Sequence, residues 1–313
     1  MKRLLTAVLF GSITTLSACS SLSEEEQNSL NLYKQNSKDY YDKNDFLRCI
    51  DQCRKGLELD EDDPSLNLNL AYALMRQRRL SSLLEAERQF ERIIDDENYG
   101  DERPVRFEYG AKLGLGMTRH QIGLKYDAKG ESEQAQEAYT RAREALEAVR
   151  SLDPESKEVT LALSQAHASL GNYEGAIREI DHGLEQLAMQ HDTIEKRIER
   201  GATLNNDLKT ELIVNETRQH EFLALKAIFL KKLERHAEAI EQFDKIESIA
   251  PLREGDYYER GLLHERIGND QAAYDDYSQF LKMSDRPLDE IVRDILRRKI
   301  AIEIKLGINE DDG

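Results

Sequence analysis

The chain has 313 residues, with 44 Lys and Arg against 61 Asp and Glu, which gives a net charge of −17 at pH 7. Such a charge opposes binding to nucleic acid and to anionic lipid surfaces. Charged residues make up 34% of the chain, Trp is absent and only 5 residues are Pro, a composition that favours helices. The length suffices for a large core or for an extended repeat array.

The N-terminus has the three parts of a secretory signal. Lys2 and Arg3 precede an uncharged apolar stretch, residues 4–16. This stretch is too short to span about 30 Å of hydrocarbon as a lasting helix. Small residues then lead to Cys19, and the sequence of residues 16–19, Leu-Ser-Ala-Cys, resembles the bacterial lipobox.

The lipobox resemblance implies that residues 1–18 are removed and that Cys19 becomes the lipidated N-terminus of a membrane-anchored lipoprotein. Two or three acyl chains anchor far more firmly than one, at about 0.8 kcal/mol per buried CH₂. Ser20 stands where Asp would favour retention at the inner membrane. By analogy with Gram-negative lipoproteins, we expect the outer membrane, facing the periplasm. A plain secretory signal with an incidental cysteine is the alternative.

After the anchor, polar residues predict a short tether over residues 19–29. From residue 30 onward, apolar residues recur at spacings of three and four, and no alternating β-type run of any length occurs. The pattern predicts an all-α chain. Pro can end one helix and open the next, and the prolines that punctuate the helix patterns are Pro64, Pro104, Pro154, Pro251 and Pro287.

An internal repeat is clearest over residues 163–183. It resembles the tetratricopeptide motif, in which each unit is a pair of helices, A and B, and small residues at positions 8 and 20 let the two helices approach closely. The small position 8 recurs at Ser37, Ala71, Gly114, Ser164, Ala227 and Gly261, and the small position 20 at Cys49, Ala86, Ala142, Ala176, Ala239 and Ala273.

The resemblance implies a right-handed superhelix, an α-solenoid, of about six helix pairs. Residues 30–156 hold degenerate repeats 1–3, and residues 157–287 hold repeats 4–6. Three further features complete this organisation: lengthened helices over 104–150 broken near Gly130, an extra helical hairpin near 187–218, and a capping helix over 288–308 followed by a disordered acidic tail over 309–313. An ordinary helical bundle with the same apolar period is the alternative.

The predicted capping helix carries four basic residues, which we expect on its outer side: Arg293, Arg297, Arg298 and Lys299. Near the other end of the array, Cys49 and Cys53 lie four residues apart on one face of a predicted helix. They are either small core thiols or a disulfide within one helix, which would constrain little.

No motif for catalysis or for metal binding emerges from the sequence. The seven histidines are scattered without a pair at i, i+4, and His167 and His264 share repeat position 11, which favours packing beside helix B. Gly110, Gly114 and Gly116 lack the preceding strand and the following Gly-Lys-Ser/Thr of a phosphate loop. We therefore predict a protein that is not an enzyme and that binds neither a metal nor a cofactor.

The family resemblance implies that helix A of each repeat lines a concave groove. On this acidic chain, the groove positions collect basic side chains, tyrosines and a methionine. These positions predict a site for an extended or helical peptide whose carboxylates are bound by Lys and Arg. The alternative is that half of the positions are simply solvated helix residues. These positions are Lys34, Lys38, Tyr41, Tyr72, Met75, Arg76, Arg119, Lys231, Lys232, Tyr258 and Arg266.

Together these features predict an outer-membrane-anchored adaptor that binds an envelope protein or peptide. Family members of similar build include pilotins that assemble type IV pilus secretins and adaptors that dock peptidoglycan hydrolases. The long insertions depart from a regular array and leave the partner open. A periplasmic module that binds peptidoglycan or polysaccharide is the alternative, and the lack of Trp counts against it.

Overall fold

The computed structural model describes residues 22–95, 105–200, 206–285 and 289–308. Within these ranges the backbone forms thirteen α-helices and no strand, which confirms the predicted all-α fold. The helices are α1 (Glu24–Asp42), α2 (Phe46–Leu57), α3 (Pro64–Arg76), α4 (Leu80–Asp95), α5 (Val105–Asp127), α6 (Ser132–Arg150), α7 (Lys157–Ser169), α8 (Tyr173–Glu199), α9 (Asn206–Lys232), α10 (His236–Ile249), α11 (Glu254–Arg266), α12 (Asp270–Met283) and α13 (Glu290–Leu306).

The predicted signal peptide, Cys19 and the tail over 309–313 lie outside the described residues. No helix within the described ranges has the length and hydropathy to cross a membrane.

Each helix packs against the next along the chain. The odd-numbered helices α1 to α11 are the A helices of six pairs, the even-numbered helices are their B partners, and α13 covers the end of the array. Consecutive A helices α1, α3, α5 and α7 also contact one another. They therefore share one side of the array, which we call the A-helix face and which continues over α9, α11 and α13.

Small residues set the spacing between helices. All six residues at position 8 are buried, and all six at position 20 have no exposed surface. A Cβ added at Gly114 would overlap the ring of Phe90 on α4, and one at Gly261 would stand 2.7 Å from Cε1 of Tyr277 on α12. Larger side chains would force the helices apart, because such close packing leaves no space for another methyl group.

Every turn between helix A and helix B contains a residue in the left-handed conformation. The φ angle is 77° at Gly130, 74° at Gly171 and 78° at Gly268. The other three turns carry side chains there instead: Asn44 at 58°, Arg78 at 55° and Glu234 at 59°. Glycine is the usual residue after the end of a helix in this conformation, because a Cβ costs roughly 1–2 kcal/mol there.

The lengthened helices follow the prediction in one place and depart from it in another. α5 has 23 residues and α6 has 19, and they are separated at Gly130 as expected. The insertion near 187–218 is helical in its described residues, as predicted, but it lengthens α8 and α9 to 27 residues each and does not form an extra hairpin. Leu187, Ile194 and Leu208 keep these extensions paired, because they continue the buried apolar stripe beyond the ordinary repeat.

The N-terminal tether is shorter than predicted, because α1 begins at Glu24. The hydroxyl of Ser23 accepts a hydrogen bond from the backbone N–H of Glu26, and the carboxylate of Glu26 accepts one from the backbone N–H of Ser23 at 2.8 Å. This capping box and the acidic first turn stabilise the helix start. Residues 24–29 are therefore helical, contrary to the prediction of a tether over 19–29.

The capping helix α13 packs through Val292, Ile295 and Ile302 against the last repeat. Two basic residues predicted on its outer side face inward instead. Nη1 of Arg298 lies 3.1 Å from a carboxylate oxygen of Glu265 on α11, and Nζ of Lys299 lies 4.4 Å from the ring centroid of Tyr274 on α12. These contacts are possible because both side chains lie beside the buried stripe, within reach of the preceding helices.

The first repeat keeps two free thiols in its core. Cys49 and Cys53 are fully buried and unbonded. A hydrogen bond with Cys49 and burial raise the pKa of the Cys53 thiol above its usual value. Both residues act as small core side chains, which agrees with the first of the two interpretations of this pair.

Candidate functional site

The A-helix face contains three concave cavities. The N-terminal cavity, about 420 Å³, lies between α1 and α3, and the central cavity, about 700 Å³, extends across α3, α5 and α7. The C-terminal cavity, about 630 Å³, lies across α9, α11 and α13. Ligand sites commonly have volumes of about 300–1,000 Å³, so each cavity could receive a few side chains of a bound protein segment.

The central cavity has an apolar floor. Leu113 and Met117 of α5, together with Leu161 and Ala162 of α7, line it. Leu124 lies on the additional turns of α5 and is 47% exposed. Leu113, Met117 and Leu161 are half-buried, so the groove presents part of its apolar lining to a partner that brings apolar residues of its own.

Three cations surround this floor. Arg76 and Arg78 are exposed and Lys125 is half-buried, and none of the three forms an ion pair within the part of the chain that the structure describes. Glu158, the carboxylate among the described lining residues, is paired with Arg218 at 3.3 Å. The central cavity thus presents unpaired positive charge on a protein whose net charge is strongly negative.

His120 lines the same cavity without adding charge at neutral pH. Its Nε2 is 2.9 Å from the hydroxyl of Ser169, and its ring packs against Tyr139 with centroids 5.5 Å apart. Burial lowers the pKa of His120 below its usual 6.5, although a hydrogen bond with the backbone of Gln165 opposes this shift. The neutral imidazole therefore joins α5 to α7.

In the N-terminal cavity, the predicted residues Lys34, Lys38 and Tyr41 come together. Lys34 forms an ion pair with Asp63, which is nearly buried, so its charge is neutralised. Lys38 is exposed and meets no carboxylate within the described ranges. The Tyr41 ring packs edge-on against the ring of Phe46, with centroids 5.6 Å apart.

In the C-terminal cavity, the predicted residues Lys231, Lys232 and Arg266 come together. Nζ of Lys231 lies 2.5 Å from a carboxylate oxygen of Glu259, so this charge is also neutralised. Lys232 and Arg266 are exposed, and neither has an ion-pair partner among the described residues. Whether the cations of this cavity bind a partner stays a prediction.

Arg119 does not lie in the groove, contrary to the prediction. Its guanidinium reaches back to α4, where Nε is 2.9 Å from Glu87 and Nη2 is 2.6 Å from Glu91. The Arg119 side chain is only 15% exposed. Two carboxylates on one neighbouring helix attract the guanidinium more strongly than solvent does, so Arg119 holds two repeats together.

Three further predicted residues serve the packing of the array. Met75 is 2% exposed and belongs to the core. The hydroxyl of Tyr72 donates a hydrogen bond to the carbonyl oxygen of Gly110 at 2.8 Å, and burial raises the pKa of Tyr72 above its usual value. The ring of Tyr258 packs against Phe280, with centroids 5.7 Å apart. Tyr72 and Met75 line the central cavity, as the sequence predicted, but Met75 offers almost no exposed surface there, and Tyr258 lines none of the three cavities.

Sequence reasoning missed several residues of the central cavity. Arg78 lies in a turn that a projection of helix positions omits, and Leu124 and Lys125 lie on turns of α5 that a regular repeat lacks. One signal was available in the sequence: Leu113, Met117 and Leu124 follow a helical apolar spacing, and Leu124 lies beyond Arg119, the last groove position predicted on this helix.

Two of the histidines join neighbouring elements of the array. Nε2 of His220 on α9 lies 2.9 Å from a carboxylate oxygen of Asp256 on α11, and Nδ1 of His167 lies 3.2 Å from the side-chain nitrogen of Asn172. Within the described ranges, no group of three or more His, Cys, Asp or Glu side chains is placed to hold a metal ion.

A sequence model of the tetratricopeptide repeat family matches residues 133–192, which cover most of α6, all of α7 and much of α8. No curated protein matches the chain. Among solved structures, pilF of Pseudomonas aeruginosa is similar over 90% of this chain and 100% of its own, with 12% identity and a TM-score of 0.48. A thermophilic TPR protein of Thermus thermophilus is similar over 76% and 98%, with 16% identity and a TM-score of 0.46.

The TPR2AB domain of yeast Sti1, solved in complex with pHSP90, is similar over 88% of this chain and 99% of its own, with 14% identity and a TM-score of 0.32. The family match and the thirteen helices place the chain among the tetratricopeptide-type repeat folds. Arrays of this fold are protein-interaction scaffolds, and no catalytic family is indicated.

Proposed function

We propose that this chain is an adaptor of the bacterial envelope, anchored to a membrane by lipid on Cys19, which captures a segment of a partner protein in the central cavity. The observation that carries the proposal is the pairing of a half-buried apolar floor, with Leu124 exposed beside it, and three unpaired cations. An occupant of matching chemistry has apolar side chains flanked by Asp or Glu. Assembly of a secretion, pilus or cell-wall complex is the kind of process that such an adaptor serves.

The energetics favour this occupant over a purely acidic or a purely apolar one. Apolar side chains that enter the cavity lose water from both surfaces, which contributes roughly 25 cal/mol per Å². A carboxylate that reaches a guanidinium gains a charge-assisted hydrogen bond, which is shorter and stronger than a neutral one. Neither contribution alone gives orientation, whereas an apolar centre with charged edges fixes how the segment lies.

The capture site can be tested with a photo-crosslinking amino acid at Leu124, in cells that express the full chain. We expect a crosslinked partner that mass spectrometry identifies. The control is the same amino acid at Ile213, which is 60% exposed on α9 and does not line a cavity. Equal crosslinking of the same partner from both positions would contradict capture in the central cavity.

The role of charge can be tested with Arg76→Glu, Arg78→Glu and Lys125→Glu combined. We expect the Leu124 crosslink to disappear, since the partner's carboxylates would then face like charge. A matched triple reversal at exposed cations outside the cavities changes the net charge equally and should leave the crosslink intact. These control cations are Arg88, Lys209 and Lys245. Loss of the crosslink in both triple variants would show that net charge, and not the cations of the central cavity, controls capture.

The anchor is supported by the likeness of residues 16–19 to a lipobox. Replacing Cys19→Ala should remove the acyl chains, so that metabolic labelling with palmitate marks the wild-type chain and not the variant. Separation of inner and outer membranes on a sucrose gradient, followed by detection of the wild-type chain, locates the anchor. Equal palmitate labelling of the Cys19→Ala chain would overturn this part of the proposal.

A further inference from the structure

The central cavity is a groove that follows one helix. Its lining residues on α5 run from Leu113 to Ala128. Ala128 continues the last turn of α5, because its backbone N–H donates to the carbonyl oxygen of Leu124. Such a run spans about 22 Å of helix. Leu113, Met117, Leu124 and Ala128 recur at helical spacing, so they form one continuous side of α5.

Helix α5 extends beyond its neighbour α7. The hydroxyl oxygens of Tyr109 and Ser156 lie 2.7 Å apart at the starts of the two helices, and Nε2 of His120 lies 2.9 Å from the hydroxyl of Ser169, where α7 ends. The two helices therefore run in the same direction, and α5 continues past α7 to Asp127. The far part of the groove is thus formed by turns of α5 alone, so an occupant that contacts both parts must follow α5.

The groove offers few hydrogen-bond acceptors to a peptide backbone. Gln121 buries its side-chain oxygen, and Glu158 is already paired with Arg218. Gln165 is the exposed amide among the described lining residues. An extended segment carries unpaired N–H groups along its whole length, and those that face an apolar floor lose water without gaining a partner. A helix pairs these groups within itself, so the lining favours a helical occupant.

We propose that the segment captured in the central cavity is an amphipathic helix that lies along α5. This inference rests on the function proposed above and adds the conformation of the partner. A helix of about four turns covers the groove, and its apolar side chains, at every third or fourth position, contact Leu113, Met117 and Leu161. Arg76 and Arg78 stand at the end of α3 and just after it. The edge of the partner helix that faces α3 therefore carries Asp or Glu.

Crosslinks from three positions on the groove measure the conformation of the partner. A photo-crosslinking amino acid is placed in the full chain, in cells, at Met117, Leu124 or Ala128, one position at a time. Mass spectrometry then identifies the partner residue that each position reaches. Met117 and Ala128 are about 16 Å apart along α5. A helical partner should therefore give crosslinked residues about 11 apart, with the Leu124 crosslink between them, whereas an extended partner should give residues about 5 apart.

The outcomes separate this inference from the function on which it rests. A Leu124 position that crosslinks no protein would contradict capture itself, and a crosslink to lipid alone would do the same. Partner residues about 5 apart would leave capture standing and overturn the helical conformation. Crosslinks from all three positions to one short stretch of the partner would show a segment that crosses α5, which would also overturn the inference.

A second measurement leaves this chain unaltered, since Met117 is half-buried and its replacement can disturb folding. Proline is placed in the middle of the crosslinked partner segment, at a residue that none of the three positions reaches, with alanine at the same residue as the control. In binding titrations with the full chain, proline should weaken capture about a hundredfold, which is the cost of proline inside a helix expressed as affinity. Alanine should leave capture unchanged. Equal capture of the two partner variants would overturn the inference.

Discussion

The turn that contains Arg78 makes a prediction that separates stability from function. Arg78 has a φ of 55°, and three equivalent turns have glycine at 74° to 78°. Replacing Arg78→Gly removes the clash of a Cβ in the left-handed region without disturbing a contact of the described residues. We expect the free energy of unfolding to rise by about 1 kcal/mol, since an L-residue costs roughly 1–2 kcal/mol there and glycine loses some of that gain to chain entropy.

The same substitution should weaken capture of the partner. Arg78 is one of three unpaired cations at the central cavity, and an exposed ion pair contributes up to about 1 kcal/mol. Its loss corresponds to roughly fivefold weaker capture. Strained residues are retained where the side chain has a role, so a stabilising change that reduces binding is the expected signature of a functional arginine.

Two measurements on the same variant test this reasoning. Urea unfolding followed by circular dichroism reports stability, and the yield of the Leu124 crosslink reports capture. Asn44→Gly is the matched control, because Asn44 has a φ of 58° at the turn between α1 and α2 and lines none of the three cavities. It should stabilise the chain slightly and leave capture unchanged. Normal capture by Arg78→Gly would refute the assignment of Arg78, and a loss of stability would refute the backbone argument.

Three other predictions concern packing, pH and the buried ion pairs. In urea unfolding, Gly114→Ala should lower the free energy of unfolding by about 1–3 kcal/mol, because its Cβ would overlap the ring of Phe90. Gly110→Ala is the control: its Cβ would lie 3.6 Å from the nearest atom of Leu68, so the free energy of unfolding should rise by up to about 1 kcal/mol. The pKa of His120 is lowered in the folded chain, so the unfolded chain binds a proton more readily below about pH 6.5 and stability falls there. His120→Gln should therefore reduce the difference between the urea midpoints at about pH 7.5 and about pH 5.5. An unchanged difference would contradict this assignment. Arg119→Gln should destabilise by about 1 kcal/mol, because Glu87 and Glu91 lose one of their two arginines and keep Arg141. The Leu124 crosslink should persist.

The fold was predictable because its determinants are local and repeated. Small residues at positions 8 and 20 are required wherever helix A meets helix B, so the same sequence pattern recurs in each repeat. The lengths of α8 and α9 were harder to predict, because an apolar stripe that continues through an insertion fits a longer helix pair as well as an additional one. The packing of Leu187, Ile194 and Leu208 decides between the two.

The site was less predictable than the fold, because helix position predicts where a side chain points but not which charge it meets. Lys231 and Lys232 are neighbours in the sequence, and both were expected to bind a partner. In the structure Lys231 is paired with Glu259, whereas Lys232 is exposed without a described ion-pair partner. Glu259 lies in the next repeat, so no local pattern around residues 231 and 232 distinguishes the two lysines.

The pairing of charges nevertheless follows the repeat. Arg119 and Glu87 are 32 residues apart and Lys231 and Glu259 are 28 apart, which is close to one repeat of about 34 residues. A cation with a carboxylate one repeat away on an adjoining helix therefore holds consecutive repeats together and is unavailable to a partner. Arg76, Arg78 and Lys125 have no such described carboxylate. Unpaired cations also occur elsewhere on the described surface, so their grouping is what matters. Three of them around one apolar floor indicate a binding site more strongly than the number of basic residues on the whole face.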